Sequence, residues 1–170
     1  MRRTAVAAPL LMAACMTIPI GAPPAGGGAG TTGTTSGAAA GGAAMSRSEV
    51  QQMEQLVNRH STSVGCPPLA PLGGAARAAQ LHSEDMARRG YFDHTSPDGQ
   101  QPWDRVAAQG VRYRMVGENI AHTPGATAAE TLRGWIASPG HRRNLENCGY
   151  THHGVGLSNA RWTHVFVTPP

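Results

Sequence analysis

The chain has 170 residues, and setting aside an N-terminal 45 that read as targeting and tether leaves 125, from Ser46 to Pro170, enough for one domain and one site. Its formal charge of +4 comes from 14 arginines and no lysine; Arg2 and Arg3 belong to the targeting segment, so +2 remains on the domain, interleaved with ten acids, and this excludes the basic stripe of a nucleic-acid binder. The longest apolar stretch, Ala5 to Ile20, is interrupted by Pro9, Cys15 and Pro19, which excludes a membrane bundle.

Met1-Arg-Arg-Thr followed by the apolar Ala5 to Met12 has the pattern of a secretory signal peptide, so the chain is expected to be exported. Within it Met12-Ala13-Ala14-Cys15 resembles a bacterial lipobox, which would make Cys15 the lipidated first residue of an envelope lipoprotein; the alternative is cleavage by an ordinary signal peptidase after one of the small residues between Ala22 and Ala29. Residues 16–45 collapse almost entirely to Gly, Ala, Thr, Ser and Pro and are expected to form a disordered spacer. With Cys15 assigned to the leader, Cys66 and Cys148 remain as one pair, which an oxidising compartment favours as a disulfide over two free thiols.

Ser46-Arg-Ser-Glu49 has capping-box spacing, and Val50, Met53, Leu56 and Val57 recur at helical intervals, predicting a helix from about Ser48 to His60. A second helix is expected from about Gly74 to Arg89, buried along Ala75, Ala78, Ala79, His82 and Met86 and capped by Gly90. Pro102 fits the first turn of a short helix over Trp103 to Gln109. Val111 to Ala121 reads as a further strand, ending in Gly117-Glu118-Asn119. Thr127-Ala-Ala-Glu130 opens a helix with Leu132, Trp135 and Ile136 inward, which Ser138-Pro139-Gly140 breaks. From Val155 to Val167 the period falls to two around Ser158-Asn159-Ala160, as in a β-hairpin. The expected class is α+β, a single domain of α-β-α layers with a C-terminal antiparallel hairpin.

Chemistry concentrates in three loops, Tyr91 to Gly99, Gly117 to Ile120 and Ser138 to Asn144. His94, Glu118 and His141 form a set that could hold zinc or another divalent ion, or carry general acid-base catalysis, although spacing alone does not link them. Gly-x-Ser-x-Gly and His-Glu-x-x-His are both absent. Trp103, Trp135 and Trp162 read as core or cleft wall.

Taken together, Leu81-His82-Ser83-x-x-Met86-Ala87, Gly90-Tyr91-Phe92-Asp93-His94-Thr95-Ser96-Pro97-Asp98-Gly99, Gly117-Glu118-Asn119-Ile120-Ala121, Trp135-Ile136-x-Ser138-Pro139-Gly140-His141-Arg142-x-Asn144-Leu145, Gly154-Val155-Gly156 and Trp162-Thr163 resemble the CAP (SCP-like) superfamily in its bacterial branch. The resemblance spans nearly all of residues 48 to 168 and implies an α-β-α sandwich whose cleft gathers two histidines and two acids, able in some relatives to bind divalent metal. His94 matches the first cleft histidine and Glu118 the acid of Gly-Glu-Asn. The second acid falls on Ser138, and the second histidine falls on Arg161 with His164 at the following glutamine position, so the full tetrad is not present. His141 could substitute as a cleft residue, with His82 and His164 as outside candidates. Three functions follow: a binding module for a small ligand, a lipid, a partner protein or another envelope component, a hydrolase using His94, Glu118 and His141, or a surface protein with a vestigial cleft. A monomer is the default, since no apolar stripe is left over.

Overall fold

The computed structural model describes residues 36–170; the expected signal segment, Cys15 and the first part of the spacer lie outside the described residues. The elements run α1 (Ser36–Ser63), β1 (Ala70–Pro71), α2 (Gly73–Arg89), α3 (Pro102–Ala108), β2 (Met115–His122), α4 (Ala128–Ala137), α5 (Pro139–Leu145), β3 (His152–Ser158) and β4 (Arg161–Thr168). The strands form one sheet in the order β1-β3-β4-β2, parallel between β1 and β3 and antiparallel elsewhere.

Helices cover both faces of this sheet, which gives the α-β-α layering expected. On one face α2 lays Ala75, Ala78 and Ala79 against Val165 and Val167 of β4, with Val106 of α3 beside them. The alanine stripe lets helix and sheet approach until backbones touch. A Cβ built on Gly154 of β3 would lie 2.0 Å from the backbone nitrogen of Ala76, so only glycine fits there. On the other face Met53 and Val57 of α1 and Leu132 and Trp135 of α4 pack with Val155, Leu157, Trp162 and Phe166. With both faces covered, β4 is buried from Trp162 to Thr168.

Local signals set most of the boundaries. Gly90 caps α2 in the left-handed region at φ 70°, its N–H donating to the Met86 carbonyl. Thr127 caps α4 reciprocally: its Oγ1 accepts from the Glu130 N–H at 3.3 Å, and the Glu130 carboxylate accepts from the Thr127 N–H at 2.9 Å. Thr127→Ala is expected to cost about 1 kcal/mol, read as a lower urea midpoint at unchanged slope. The hairpin turns through Asn159 and Ala160, both at positive φ (45° and 60°), as a two-residue turn matched to strand twist requires.

Three expectations are corrected. Helix α1 begins at Ser36, so residues 36–45, expected as disordered spacer, are helical, and Ser46–Glu49 lies inside the helix rather than at its start. Five alanines in that stretch, from Ala38 to Ala44, supply the highest intrinsic helix propensity of any residue. The Ser138-Pro139-Gly140 break is also only a joint: Pro139 is the first residue of α5, where its missing N–H costs nothing. His164, an outside cleft candidate, lies fully buried on the sheet face opposite Glu118, for reasons of strand parity given below. The disulfide is formed between Cys66 and Cys148, joining the segment after α1 to the segment after α5.

Candidate functional site

Strand β2 carries the acid. In its register with β4, Glu118 stands opposite Val165, which faces α2, so the carboxylate points to the α2 and α3 side of the sheet. The loop after α2 brings His94 over it, and Nδ1–H of His94 donates to Glu118 Oε1 at 2.8 Å. The Glu118 side chain is 2% exposed and that of His94 46%, so one end of the dyad is sealed and the other open. Nε2 of His94 is the ring nitrogen left to meet a ligand.

The second carboxylate oxygen is occupied too. Arg105, buried on α3, donates from Nη2 to Glu118 Oε2 at 2.8 Å and to the His94 carbonyl at 2.9 Å, and from Nη1 to the Gln100 carbonyl at 2.9 Å. One guanidinium therefore fixes the acid and the loop that presents the histidine. Sequence reading did not single out Arg105. Its signal was a charged residue on the inward stripe of α3, where Pro102, Arg105 and Val106 are buried at helical spacing.

His82 lies behind the dyad, with Nε2 3.9 Å from Glu118 Oε1 and 3.0 Å from the Asp93 carbonyl. Since a carbonyl only accepts, Nε2 carries the proton. Burial, ahead of the attraction of Glu118, holds the His82 imidazole below its usual pKa and therefore neutral. Tyr91 donates its O–H to Asp85 at 2.8 Å, and burial and then that hydrogen bond push the phenol well above its usual pKa.

His141 arrives from α5. Asn144 donates from Nδ2 to the Glu118 carbonyl at 3.1 Å and to Asn119 Oδ1 at 2.8 Å, while Asn119 donates to the His141 carbonyl at 3.1 Å. This lattice of amides docks α5 on β2 and sets His141 near His94. Burial first, then the charge of a protonated His94, lowers the His141 pKa. Its Nδ1 is enclosed without a hydrogen-bond partner among the described residues.

The remaining candidates stand apart. Ser138 caps the start of α5, its carbonyl accepting from the Arg142 N–H at 2.9 Å, and has no bond to Glu118. Arg161 shares the sheet face of Glu118, but at the hairpin end, opposite His122. His164 pairs with Asn119, one residue along from Glu118, and so projects to the opposite face, where it is fully buried against Trp135 and Phe166. One step along a strand reverses the side chain, which moves His164 from cleft to core.

Zinc or another divalent ion does not fit this arrangement. No three His, Cys, Asp or Glu side chains converge on a metal position among the described residues. The acid that would anchor the ion has both oxygens committed, one of them to a buried cation that would repel it.

The model of the cysteine-rich secretory protein family, CAP, matches residues 54–168. An uncharacterized protein YkwD of Bacillus subtilis is 35% identical over 119 residues, covering 69% of this chain and 46% of that protein. An uncharacterized membrane protein YlbC of the same organism is 40% identical over 94 residues, covering 54% of this chain and 26% of that protein. The chain thus spans less than half the length of these curated relatives. Among solved structures, an extracellular protein containing an SCP domain from Bacillus anthracis matches with TM-score 0.70 at 34% identity, over 72% of this chain and 41% of that one. An outer surface protein of Borrelia burgdorferi shares the fold at TM-score 0.67 and 14% identity, over 74% of this chain and 96% of that one.

Proposed function

Because the chain belongs to the cysteine-rich secretory protein (CAP) family, we propose that it works as an exported binding domain, taking up a small polar component of the cell envelope at His94. Export is supported by the signal-like N-terminus and by the extracellular and outer-surface descriptions of its structural neighbours. The single observation that carries the binding reading is the closure of Glu118 by Arg105. A carboxylate with both oxygens bonded orients an imidazole well but is not free to accept a substrate proton, and among the described residues no serine, threonine or cysteine bonds to His94 as a nucleophile would. What remains is a rigidly held imidazole with one outward nitrogen.

The ligand class is argued from two exposed aromatic side chains near His94 and Arg105 in the chain. Phe92, two residues before His94, is 49% exposed, and Trp103, on the same helix as Arg105, is 47% exposed. Exposed rings on the loop that carries His94 and on the helix that carries Arg105 suit a glycan fragment, whose C–H faces stack on aromatics while its hydroxyls and amides bond to imidazole. Titration of soluble peptidoglycan fragments into the full chain, followed by NMR, is expected to shift His94 and Phe92 resonances saturably. His94→Ala should abolish the binding, and Glu118→Gln should weaken it roughly tenfold through the lost orientation of the ring. Unchanged affinity in His94→Ala would overturn the reading. The hydrolase alternative rests on the same 2.8 Å dyad and requires new reducing ends to appear during that titration.

A further inference from the structure

A cavity of about 480 Å³ opens between α1 and the β1 edge of the sheet, lined by Gln51, Glu54, Gln55 and Asn58 of α1, Pro71 of β1 and His153 of β3. The strand order β1-β3-β4-β2 puts it at the sheet edge away from Glu118, and α1 covers the sheet face opposite the dyad. Its volume falls within the range typical of small-molecule sites. The four α1 residues stand at positions i, i+3, i+4 and i+7, so they share one face of the helix.

The charge selects the ligand. Glu54 is the one charged side chain among the lining residues at neutral pH, because burial, and then the charge of His152, hold His153 at about 4 and leave its ring neutral. Glu54 is itself half-buried, and burial alone pushes its carboxyl above the usual range; among the described residues its carboxylate has neither an ion pair nor a hydrogen bond. A partly desolvated anion without a partner gains most from a cation. Asn58 is committed elsewhere, its amide donating to the Leu69 carbonyl at 3.0 Å and accepting from the Leu69 N–H at 2.8 Å. Gln51 and Gln55 are exposed on either side of Glu54, and each carries an amide oxygen on a long side chain. A primary ammonium has three N–H donors and no acceptor, for which one carboxylate and two amide oxygens are the complement. The Pro71 ring gives an alkyl chain an apolar surface.

We propose that this cavity binds a primary alkylammonium group, its nitrogen meeting Glu54 and the amide oxygens of Gln51 and Gln55 and its chain lying on Pro71. Free aliphatic amines and lysine side chains share this group. The site does not depend on the glycan reading, since none of its residues belongs to the His94 dyad or its supports.

Butylammonium titrated into the full chain at pH 7 and followed by NMR tests it, with Nα-acetyllysine methylamide as the lysine form and 1-butanol and butyltrimethylammonium as controls. Saturable one-to-one shifts of the Gln51 and Gln55 side-chain amides are expected with butylammonium. Butanol, which lacks the charge, and butyltrimethylammonium, which lacks N–H donors, should bind weaker by roughly tenfold or more. Equal or tighter binding of the lysine derivative assigns the site to lysine side chains, and binding weaker by roughly tenfold assigns it to free amines. Glu54→Gln, which keeps the shape and removes a half-buried charge, should abolish binding without lowering the urea midpoint, and Gln55→Ala, at an exposed position, should weaken binding roughly threefold. His94→Ala should leave the affinity unchanged, which separates this site from the glycan cleft. No saturable binding, equal binding of butanol, or binding that survives Glu54→Gln would each overturn the proposal.

Discussion

Replacing Cys66 and Cys148 together by serine lowers the unfolding free energy by about 4.5 kcal/mol, the largest single effect expected in this domain. The bond closes a loop of sequence separation 82, and in the chain-entropy account its contribution is the freedom it removes from the unfolded chain, which grows with loop length. The helix ends it joins have few other ties. Cys66 is fixed by its N–H to the Ser61 carbonyl at 2.9 Å, and His60 reaches Glu146 at 3.2 Å across the same seam. The His60 and Glu146 pair is partly exposed and adds little. Urea unfolding of the serine variant, and of the native chain under reductant, should show the midpoint falling by roughly 2 M. A loss below about 1 kcal/mol would mean that packing of α1 on α4 already fixes the two ends.

Acid is expected to destabilise the domain by at least about 3 kcal/mol between pH 7 and pH 4 through one buried pair of histidines. His153 and His164 lie opposite each other's neighbours on β3 and β4, both almost fully buried, with His153 Nδ1 3.2 Å from His164 Nε2. One neutral ring donates and the other accepts; a proton added to the acceptor would set two N–H groups face to face in an apolar layer. Burial, and then the charge of His152, lower His153 to about 4, and burial, then His153, holds His164 well below the usual value. The unfolded chain binds protons near pH 6.5, so between there and pH 4 it holds more protons than the folded state, and stability falls as pH falls. The contribution is fully present above about pH 6.5. Urea midpoints measured from pH 7 to pH 4 should flatten in His153→Gln and His164→Gln relative to the native chain. An identical pH dependence in the double variant would assign the acid loss to carboxylates instead.

Much of the framework can be read without coordinates because it depends on interactions within a few residues. The Ala75, Ala78, Ala79, His82 and Met86 stripe, the Gly90 cap, the Thr127 and Glu130 box and the two-residue period around Asn159 each fix one element by local geometry, and the structure carries all four. The same local logic fails where a signal has two meanings. Pro139 both ends α4 and begins α5, and only the amide lattice from Asn144 to Asn119 and Glu118 decides in favour of a helix. Residues 36–45 have the composition of a tether, yet their alanines continue α1.

The sequence by itself determined the family, the α-β-α order and the cysteines available for pairing, because ordered motifs and periodicity record which residues sit on which element. Only the tertiary structure decided which polar groups meet. Nothing in the spacing of Arg105 and Glu118 says that a guanidinium closes the acid, and His164 left the cleft through one step of strand parity set by β-sheet register. Contacts between distant elements depend on register and helix docking, which are fixed by the whole core together and have no local sequence signature.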